Sequence, residues 1–371
     1  MEIKAILSRK KDDFSLQDIV LSRPKNNQLL IKIVACGVCH TDVTVLNGTL
    51  PVAYPVVLGH EGAGIVVEVG ENVSSVKPGD HVVLGFSYCG HCKHCLTGNA
   101  SACTDFAKLN FSGKDEDGFT ALTTTSGEQI SQIFGQSSLA TYCVVNEKNV
   151  CKVDSDVDLR YLGPLGCGIM TGSGTVFNTL QPKIGSSIVV FGTGAVGLSA
   201  IMAAKILGCV HIIAVDVHTN RLALAQGLGA THVINSREQN PVDAIYAITN
   251  GGADYAIDTT GIPAVCHQAL DCLDVYGVMV VLAVSNAEIS VNLNHDLVAK
   301  GKTIKGVLEG DASPKVLIPI LVELYKKGQF PVDKLMRFYQ PNEVNKAFAD
   351  SASGEVIKPV IVFDESIYSG S

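Results

Sequence analysis

Residues 187–197 restrict this chain more than any other stretch. Ser187-Ile-Val-Val-Phe191 reads as a strand buried on both faces, and Gly192-Thr-Gly194-Ala-Val196-Gly197 follows it directly. A helix-like run, Leu198 to Leu207, comes next. Then His211-Ile-Ile-Ala-Val-Asp216 forms a second apolar strand that closes on an acid. In this context each glycine has a physical task. Gly192 permits a tight turn, Gly194 lets backbone approach a pyrophosphate, and Gly197 lets the helix pack close to the sheet. The first helical turn, with Val196 in it, offers unpaired N–H groups and a partial positive charge to phosphates. Asp216, nineteen residues past Gly197, is placed to accept hydrogen bonds from ribose hydroxyls. Its charge opposes a 2′-phosphate, and Val217 rather than Arg follows it, so NAD is preferred to NADP. Arg221, one turn further on, is the cation that works against that preference. The alternative is a Gly-rich strand–helix turn that binds no nucleotide.

The texture continues beyond this unit. Arg221 to Gly227 is helix-like, while His232-Val-Ile, Ala253 to Asp258 and Tyr276 to Leu282 are strand-like. Strands alternating with helices imply α/β structure with a doubly wound parallel sheet. Ile188 to Ala204 carries no charge, but its Gly-rich turn and the stop at Lys205 fit a buried strand–turn–helix better than a membrane span. Before about residue 150 the pattern differs. Short β-rich runs at 29–35, 64–69 and 81–84, punctuated by Gly70 and Pro78-Gly79-Asp80, imply a barrel-like β region. Residues 105–137 are polar and rich in Gly, Ser and Thr, and read as an irregular surface lobe. Near the end, one helix from Ser313 to Lys327 precedes an extended finish, Val356 to Phe363. The tail is expected to rejoin the first domain, which makes the nucleotide domain an insertion. Ile367 to Ser371 are expected to be disordered.

A second constraint is Cys89-Gly-His-Cys92-Lys-His-Cys95, followed seven residues later by Cys103. Four thiols in one loop suit tetrahedral capture of a structural zinc. The stretch between Cys95 and Cys103 has no apolar periodicity, so little but a metal would order it. Disulfides would need an oxidising compartment. An iron–sulfur cluster usually takes its fourth cysteine sooner and with Pro after it, whereas Thr104 follows Cys103. Unligated thiols are the remaining alternative. Three smaller clusters also carry ligand-type residues: Cys39-His40-Thr41-Asp42, Gly59-His60-Glu61-Gly62, and Gly163-Pro-Leu-Gly-Cys167-Gly168. Alone, each thiol or imidazole reads as an ordinary buried residue, and spacing does not show that the three converge.

A net charge of −8, with no basic run beyond Arg9-Lys10-Lys11, argues against nucleic acid or an anionic membrane as partner. The first residues lack an export signal, and twelve cysteines then read as reduced thiols and metal ligands of a cytoplasmic protein.

Taken in order, the three ligand clusters, the four-cysteine loop, the glycine motif and Asp216 closely resemble the zinc-dependent medium-chain alcohol dehydrogenases over nearly the whole chain. Gly163-Pro-Leu-Gly-Cys-Gly, Asn110-Phe-Ser-Gly and Val307-Leu-Glu-Gly310 look most like the aryl-alcohol (benzyl alcohol) and geraniol dehydrogenases. The resemblance implies a GroES-like catalytic domain with an inserted Rossmann domain: residues 1–168, with a structural zinc lobe at 85–110, then 169–307, then a return over 308–371. It implies two zincs per chain, NAD, a small alcohol or aldehyde substrate and a homo-oligomer. Cys39, His60 and Cys167 would hold the catalytic zinc, with Glu61 beside it and Asp42 orienting His60. Thr41 would take the substrate's hydroxyl proton. Many relatives carry a histidine where Thr44 stands, so a water chain is expected to complete the outward path, with His40 the lesser candidate because its position faces the cofactor's pyrophosphate. Lys358 would touch the same pyrophosphate as a point charge. Leu50, Phe86 and Tyr88 fall near positions that line the substrate pocket, although plain core packing would explain them equally. The activity implied is NAD-dependent oxidation of primary aromatic or allylic alcohols. Short-chain aliphatic alcohol oxidation, a non-catalytic nucleotide-binding protein of this fold and a zinc-binding interaction module are the alternatives.

Overall fold

The computed structural model describes residues 1–364 and 366, so Ile367 to Ser371, expected to be disordered, lie outside the described residues. The chain divides into two units. One comprises Met1–Gly168, Ser313–Lys327 and the described residues from Val332 onward; the other comprises Ile169–Ala312 and Gly328–Pro331.

In the first unit the central strand is Gln28–Gly37, whose ten residues are buried but for two that are half-buried. It is apolar almost throughout because it has neighbours along both edges. It pairs antiparallel with Gly62–Val69, Tyr142–Asn146 and Lys358–Val362. These strands belong to a seven-stranded sheet, and a five-stranded sheet built on Glu2–Lys10 and Asp13–Leu21 completes the unit's β framework. The return of the chain end as a strand beside Gln28–Gly37 brings Lys358, more than three hundred residues away in sequence, next to Val38.

The second unit holds six parallel strands. Numbered along the chain within this unit, they lie in the order 3-2-1-4-5-6, the doubly wound arrangement. Ser187–Phe191 is fully buried, as a strand covered by helices on both faces must be. The helix after the glycine turn is Ala195–Ile206. The uncharged run from Ile188 to Ala204 is therefore strand, turn and helix. No helix among the described residues is long and apolar enough to cross a membrane.

Two expectations need correction. Residues 105–137 are not merely a surface lobe. They include the helix Phe106–Phe111, and Ile130, Ile133, Phe134, Gln136 and Ser137 are each at most 3 % exposed. Their polar groups are satisfied by irregular backbone bonds, such as Phe134 N–H to the Asn110 carbonyl, and by side chain-to-backbone bonds, so no periodicity marks them. The tail also holds more than one helix. Met336–Tyr339 is a strand parallel to Lys358–Val362, and Val344–Ala352 is a second helix.

Candidate active site and metal centres

The strand Gln28–Gly37 delivers Cys39 to the start of the helix His40–Leu46, where it is the N-cap residue in extended conformation. Asp42, in the first turn, ties this corner together. One of its oxygens, Oδ2, accepts the Cys39 N–H at 3.1 Å. The other accepts the Gly59 N–H at 2.9 Å and lies 3.2 Å from Nδ1 of His60. Gly59 must be glycine: its φ is +98°, and a Cβ there would stand 2.1 Å from the Leu139 nitrogen.

A buried carboxylate on Nδ1 fixes the imidazole proton there and leaves Nε2 with a lone pair to donate. That Nε2 is buried and has no hydrogen-bond partner. Leaving such an atom unpaired costs about 1–3 kcal/mol, so the arrangement calls for a ligand. Donor atoms of Cys39, His60, Glu61 and Cys167 all lie within 4.8 Å of one another. The Cys39 thiol is held well below the usual thiol range, mainly by a hydrogen bond with Cys167 and against the opposing effect of burial. One imidazole and two thiols with a carboxylate alongside fit zinc, and the orphaned nitrogen is the feature that zinc would satisfy.

Glu61 is fully buried. Its Oε1 accepts the Lys358 ammonium at 2.9 Å and the Gly168 N–H at 3.2 Å, while Oε2 has no partner. Burial pushes the Glu61 carboxyl up, and Lys358 opposes it. Lys358 is only 3 % exposed and also donates to the Val38 carbonyl at 3.2 Å. Here, then, the residue expected at a pyrophosphate has Glu61 and the Val38 carbonyl as its partners. The ammonium points inward, because a buried carboxylate needs a paired charge more than a solvated phosphate does. Burial pulls the Lys358 ammonium down, but the Glu61 charge and hydrogen bond, together with the Cys39 and Cys167 sulfurs, outweigh it and hold it above the usual lysine range.

The other expected residues fall as follows. Thr41 is half-buried, its Oγ1 3.9 Å from the Cys39 sulfur. His40 is exposed at the helix start. Thr44 is 3 % exposed and donates its hydroxyl to the Thr41 carbonyl at 2.8 Å, so that hydroxyl is committed to the helix backbone. Leu50 is half-buried. Phe86 is 1 % exposed, packed against Phe106 and Tyr88 at centroid separations of 5.4 and 6.2 Å. It is a core residue rather than a pocket wall. Tyr88 faces a different space, a cavity of about 420 Å³ that it shares with Lys148, Glu116 and Asn149 and that no residue of the Cys39–His60 cluster lines.

Two functional neighbours carried no sequence signal. Phe134 stacks on the His60 ring with centroids 4.5 Å apart and planes 19° apart, and Phe111 meets it edge-on at 5.2 Å. Gln136 clamps the backbone on both sides of Glu61. Its Nε2 donates to the His60 carbonyl at 3.0 Å and the Gly85 carbonyl at 3.2 Å, and its Oε1 accepts the Gly62 N–H at 3.4 Å.

The four-cysteine loop is a second metal centre in form. The sulfurs of Cys89, Cys92, Cys95 and Cys103 lie within 4.8 Å of one another. Backbone N–H groups of Cys92 and Cys89 point at the sulfurs of Cys89 and Cys103, each at 3.3 Å. Cys89 and Cys95 are 3.9 Å apart through sulfur, nearly twice a disulfide bond length, and all twelve cysteines are free. The disulfide alternative is thereby removed. A tetrahedral zinc fits four converging thiols whose intervening chain has only the short helix Lys93–Leu96 and the turn Ala100–Ala102.

In the second unit the glycines have the expected geometry. Gly192 has a φ of +89°, a Cβ on Gly194 would meet nothing within 4 Å, and a Cβ on Gly197 would lie 1.9 Å from the Gly192 carbonyl oxygen. Gly194 is the N-cap of the helix Ala195–Ile206, and Val196 is half-buried in its first turn. Asp216 ends the strand His211–Asp216 and is 8 % exposed. Burial raises its carboxyl, but hydrogen bonds from Thr193, Val217 and His218 bring it below the usual range, so it is ionised. A cavity of about 110 Å³ opens beside it, lined by Gly192, Asp216, Ser236, Thr260, Ile262 and Gln268. An open glycine, a helix start and an ionised acid beside a cavity fit a dinucleotide. Arg221 is half-buried in the helix Thr219–Leu228.

Comparison with known proteins gives concordant results. Residues 195–325 match the zinc-binding dehydrogenase family and residues 25–155 the alcohol dehydrogenase GroES-like domain. The chain is 41 % identical to a geraniol dehydrogenase of Castellaniella defragrans over 363 residues, 97 % of each chain. Among solved structures it is similar to an alcohol dehydrogenase zinc-binding domain protein from Burkholderia ambifaria (46 % identity, TM-score 0.95, covering 98 % of this chain and 100 % of the other). It is similar to benzyl alcohol dehydrogenase from Acinetobacter calcoaceticus to the same extent, with a TM-score of 0.94, 46 % identity and coverage of 98 and 100 %. With a relative this similar along its whole length, the chain belongs to the zinc-dependent medium-chain alcohol dehydrogenases, a family of zinc- and NAD-dependent enzymes built from a GroES-like and a Rossmann-type domain.

Proposed function

We propose that this enzyme oxidises primary aromatic or allylic alcohols, of the benzyl alcohol or geraniol type, reversibly to aldehydes with NAD. The observation that carries the chemistry is the unpartnered Nε2 of His60 among the Cys39 and Cys167 thiols. The substrate class rests on the likeness to a geraniol dehydrogenase and a benzyl alcohol dehydrogenase.

Cys39, His60 and Cys167 would hold a zinc ion, which when bound polarises the alcohol oxygen as a Lewis acid and lowers the pKa of its hydroxyl. Gly192, Gly194, Val196, Gly197 and Asp216 would hold NAD, which when bound would supply the hydride acceptor. The chain's own residues set the terms. Asp42 keeps His60 in the tautomer that donates from Nε2. Glu61, neutralised in part by Lys358, keeps one free carboxylate oxygen beside the donors without leaving a bare buried charge. The Thr41 hydroxyl takes the substrate's hydroxyl proton, and because the Thr44 hydroxyl is bound to the Thr41 carbonyl, the onward path runs through water. His40, exposed at the helix start, is left for the cofactor's phosphates. The cysteine loop holds a second zinc as a structural staple.

A cytoplasmic setting fits twelve free thiols. A homo-oligomer fits the exposure of Tyr276, Leu293 and Val298, at 80, 72 and 74 %, on segments near the terminal strand Thr303–Gly306.

The decisive measurement compares kcat/KM for benzyl alcohol, geraniol and ethanol. An advantage of about tenfold or more for one of the first two is expected. A preference for ethanol overturns the substrate class and favours the short-chain alternative.

A further inference from the structure

The cavity of about 420 Å³ that Tyr88 faces has no part in the centre at Cys39 and His60. Its size lies within the roughly 300–1,000 Å³ of small-molecule pockets. Gln132 lines it from the short strand Ser131–Gln132, whose main chain is pinned. The Gln132 N–H donates to the Gly113 carbonyl at 3.0 Å, and the strand pairs with Val56–Val57. Gln132 is only 6 % exposed, yet its side-chain amide makes no hydrogen bond with any described residue. Such an amide carries two donors and an acceptor, and burying it without partners is costly. The Tyr88 hydroxyl, on the same cavity, is likewise without a partner among the described residues. Other polar groups of the lining are committed. The Asn149 amide donates to the Ser87 hydroxyl at 2.7 Å and to the Phe134 carbonyl at 3.1 Å. Buried Leu109 and Val144 add apolar surface.

We propose that this cavity is a second small-molecule site, separate from the catalytic centre, for a neutral ligand that carries a hydroxyl or carbonyl group on an apolar body. The Gln132 amide and the Tyr88 hydroxyl each donate and accept, so together they hold such a group in either role. The body lies against the Tyr88 ring, Leu109 and Val144. Water would satisfy the amide but not the apolar wall, whereas a ligand of this kind satisfies both. The charges of the lining argue against an ion. The Lys148 ammonium and Glu116 meet each other at 2.7 Å, and Glu116 also accepts the Asn146 amide at 2.7 Å. Asp115 accepts the Gln28 amide and the N–H groups of Asp117 and Phe119, and Lys25 lies 4.1 Å from the centre of the Phe119 ring. Asp117 is exposed, where a pairing contributes little. An ion entering the cavity would lose its water without an uncommitted buried charge to meet. The site stands on its own lining, whichever alcohol the catalytic centre prefers.

The test uses 4-bromobenzyl alcohol and the zinc-loaded enzyme. Anomalous scattering from bromine locates the ligand in crystals, and calorimetry measures its binding in solution to wild type, Gln132→Leu and Tyr88→Phe. Bromine is expected in the cavity between Gln132 and Tyr88. Gln132→Leu is expected to weaken binding there by about tenfold or more, and Tyr88→Phe by about three- to tenfold. Because the Gln132 amide bonds to nothing in the fold, Gln132→Leu is expected to melt no lower than wild type and to keep its kcat/KM for benzyl alcohol. Tyr88→Phe removes one oxygen and carries the same comparison if the leucine variant packs badly. The charged analogues 4-bromobenzoate and 4-bromobenzylamine are expected to bind wild type at least about tenfold more weakly. Bromine absent from the cavity, or present at crystal concentration only with no binding in solution that either variant weakens, overturns the site. Charged analogues that bind as well as the alcohol overturn the ligand class. A fall in kcat/KM in a Gln132→Leu enzyme that melts normally makes the cavity part of the catalytic site and overturns its separateness.

Discussion

Asp216 shows how much one side chain can be asked to do. It ends a strand, caps the turn that follows, braces the glycine loop and, in the function proposed, would meet the cofactor's ribose with its charge. Its hydrogen bonds keep it ionised despite burial. Charged hydrogen bonds of this kind contribute about 1.5–3 kcal/mol each. Asp216→Gly is therefore expected to lower kcat/KM for NAD by about ten- to a hundredfold and to improve NADP, measured with both cofactors on one alcohol. An unchanged ratio would show that another residue discriminates. The sequence made Asp216 conspicuous because the whole signature lies within a short span: strand, turn, helix, strand, acid. Lys358 is the contrary case. Its position suggested a phosphate contact, but a strand pairing made by the last part of the chain turns it toward Glu61. Only the partner's location decides where a long flexible side chain goes.

At the scale of elements, the segment from Ile130 to Ser138 deserves to be read with the active site rather than with the surface. It carries Phe134, stacked on His60, and Gln136, clamped to the backbone around Glu61. Its Ser138 N–H also bonds the Gly59 carbonyl at 2.9 Å. Gln136→Leu would remove the bonds to the His60 carbonyl and the Gly62 N–H and leave the Gly85 carbonyl with only its 3.4 Å bond from Asn149. A loss of about 2 kcal/mol or more in stability is expected, measured by denaturant unfolding. Weaker retention of the metal against a chelator is expected as well, because the His60 backbone is then less fixed. Unchanged metal retention would reduce Gln136 to a structural brace. Nothing in the sequence marked this segment. Its residues are held by backbone and side-chain bonds to distant segments that follow no period, and a glutamine in a Ser/Gly-rich stretch looks like any solvated loop residue.

For the whole molecule the expectation is two zincs held for different reasons. Cys39→Ala should remove one zinc and the activity while the protein keeps its melting behaviour. Cys95→Ala should remove the other and lower stability, because a loop with little structure of its own is folded by the metal it binds. Metal content by elemental analysis, activity and a melting curve on the two variants check this together. Loss of stability in Cys39→Ala with none in Cys95→Ala would exchange the two roles.

The sequence by itself determined whatever is specified over about twenty residues or fewer. The Gly192–Gly197 turn between a buried strand and a helix, the four thiols of one loop, and the alternation that makes a doubly wound sheet are all local, set by backbone sterics and spacing. The tertiary structure alone decided which distant groups meet. Cys39, His60 and Cys167 come within 4.8 Å because a helix start, a glycine corner and a turn at the end of the first unit's opening segment are held by the same sheet. Phe134 and Gln136 reach the His60 segment, and Lys358 reaches Glu61, by the same closure. Spacing along the chain carries no record of such meetings, because each depends on the summed geometry of every strand pairing between the partners.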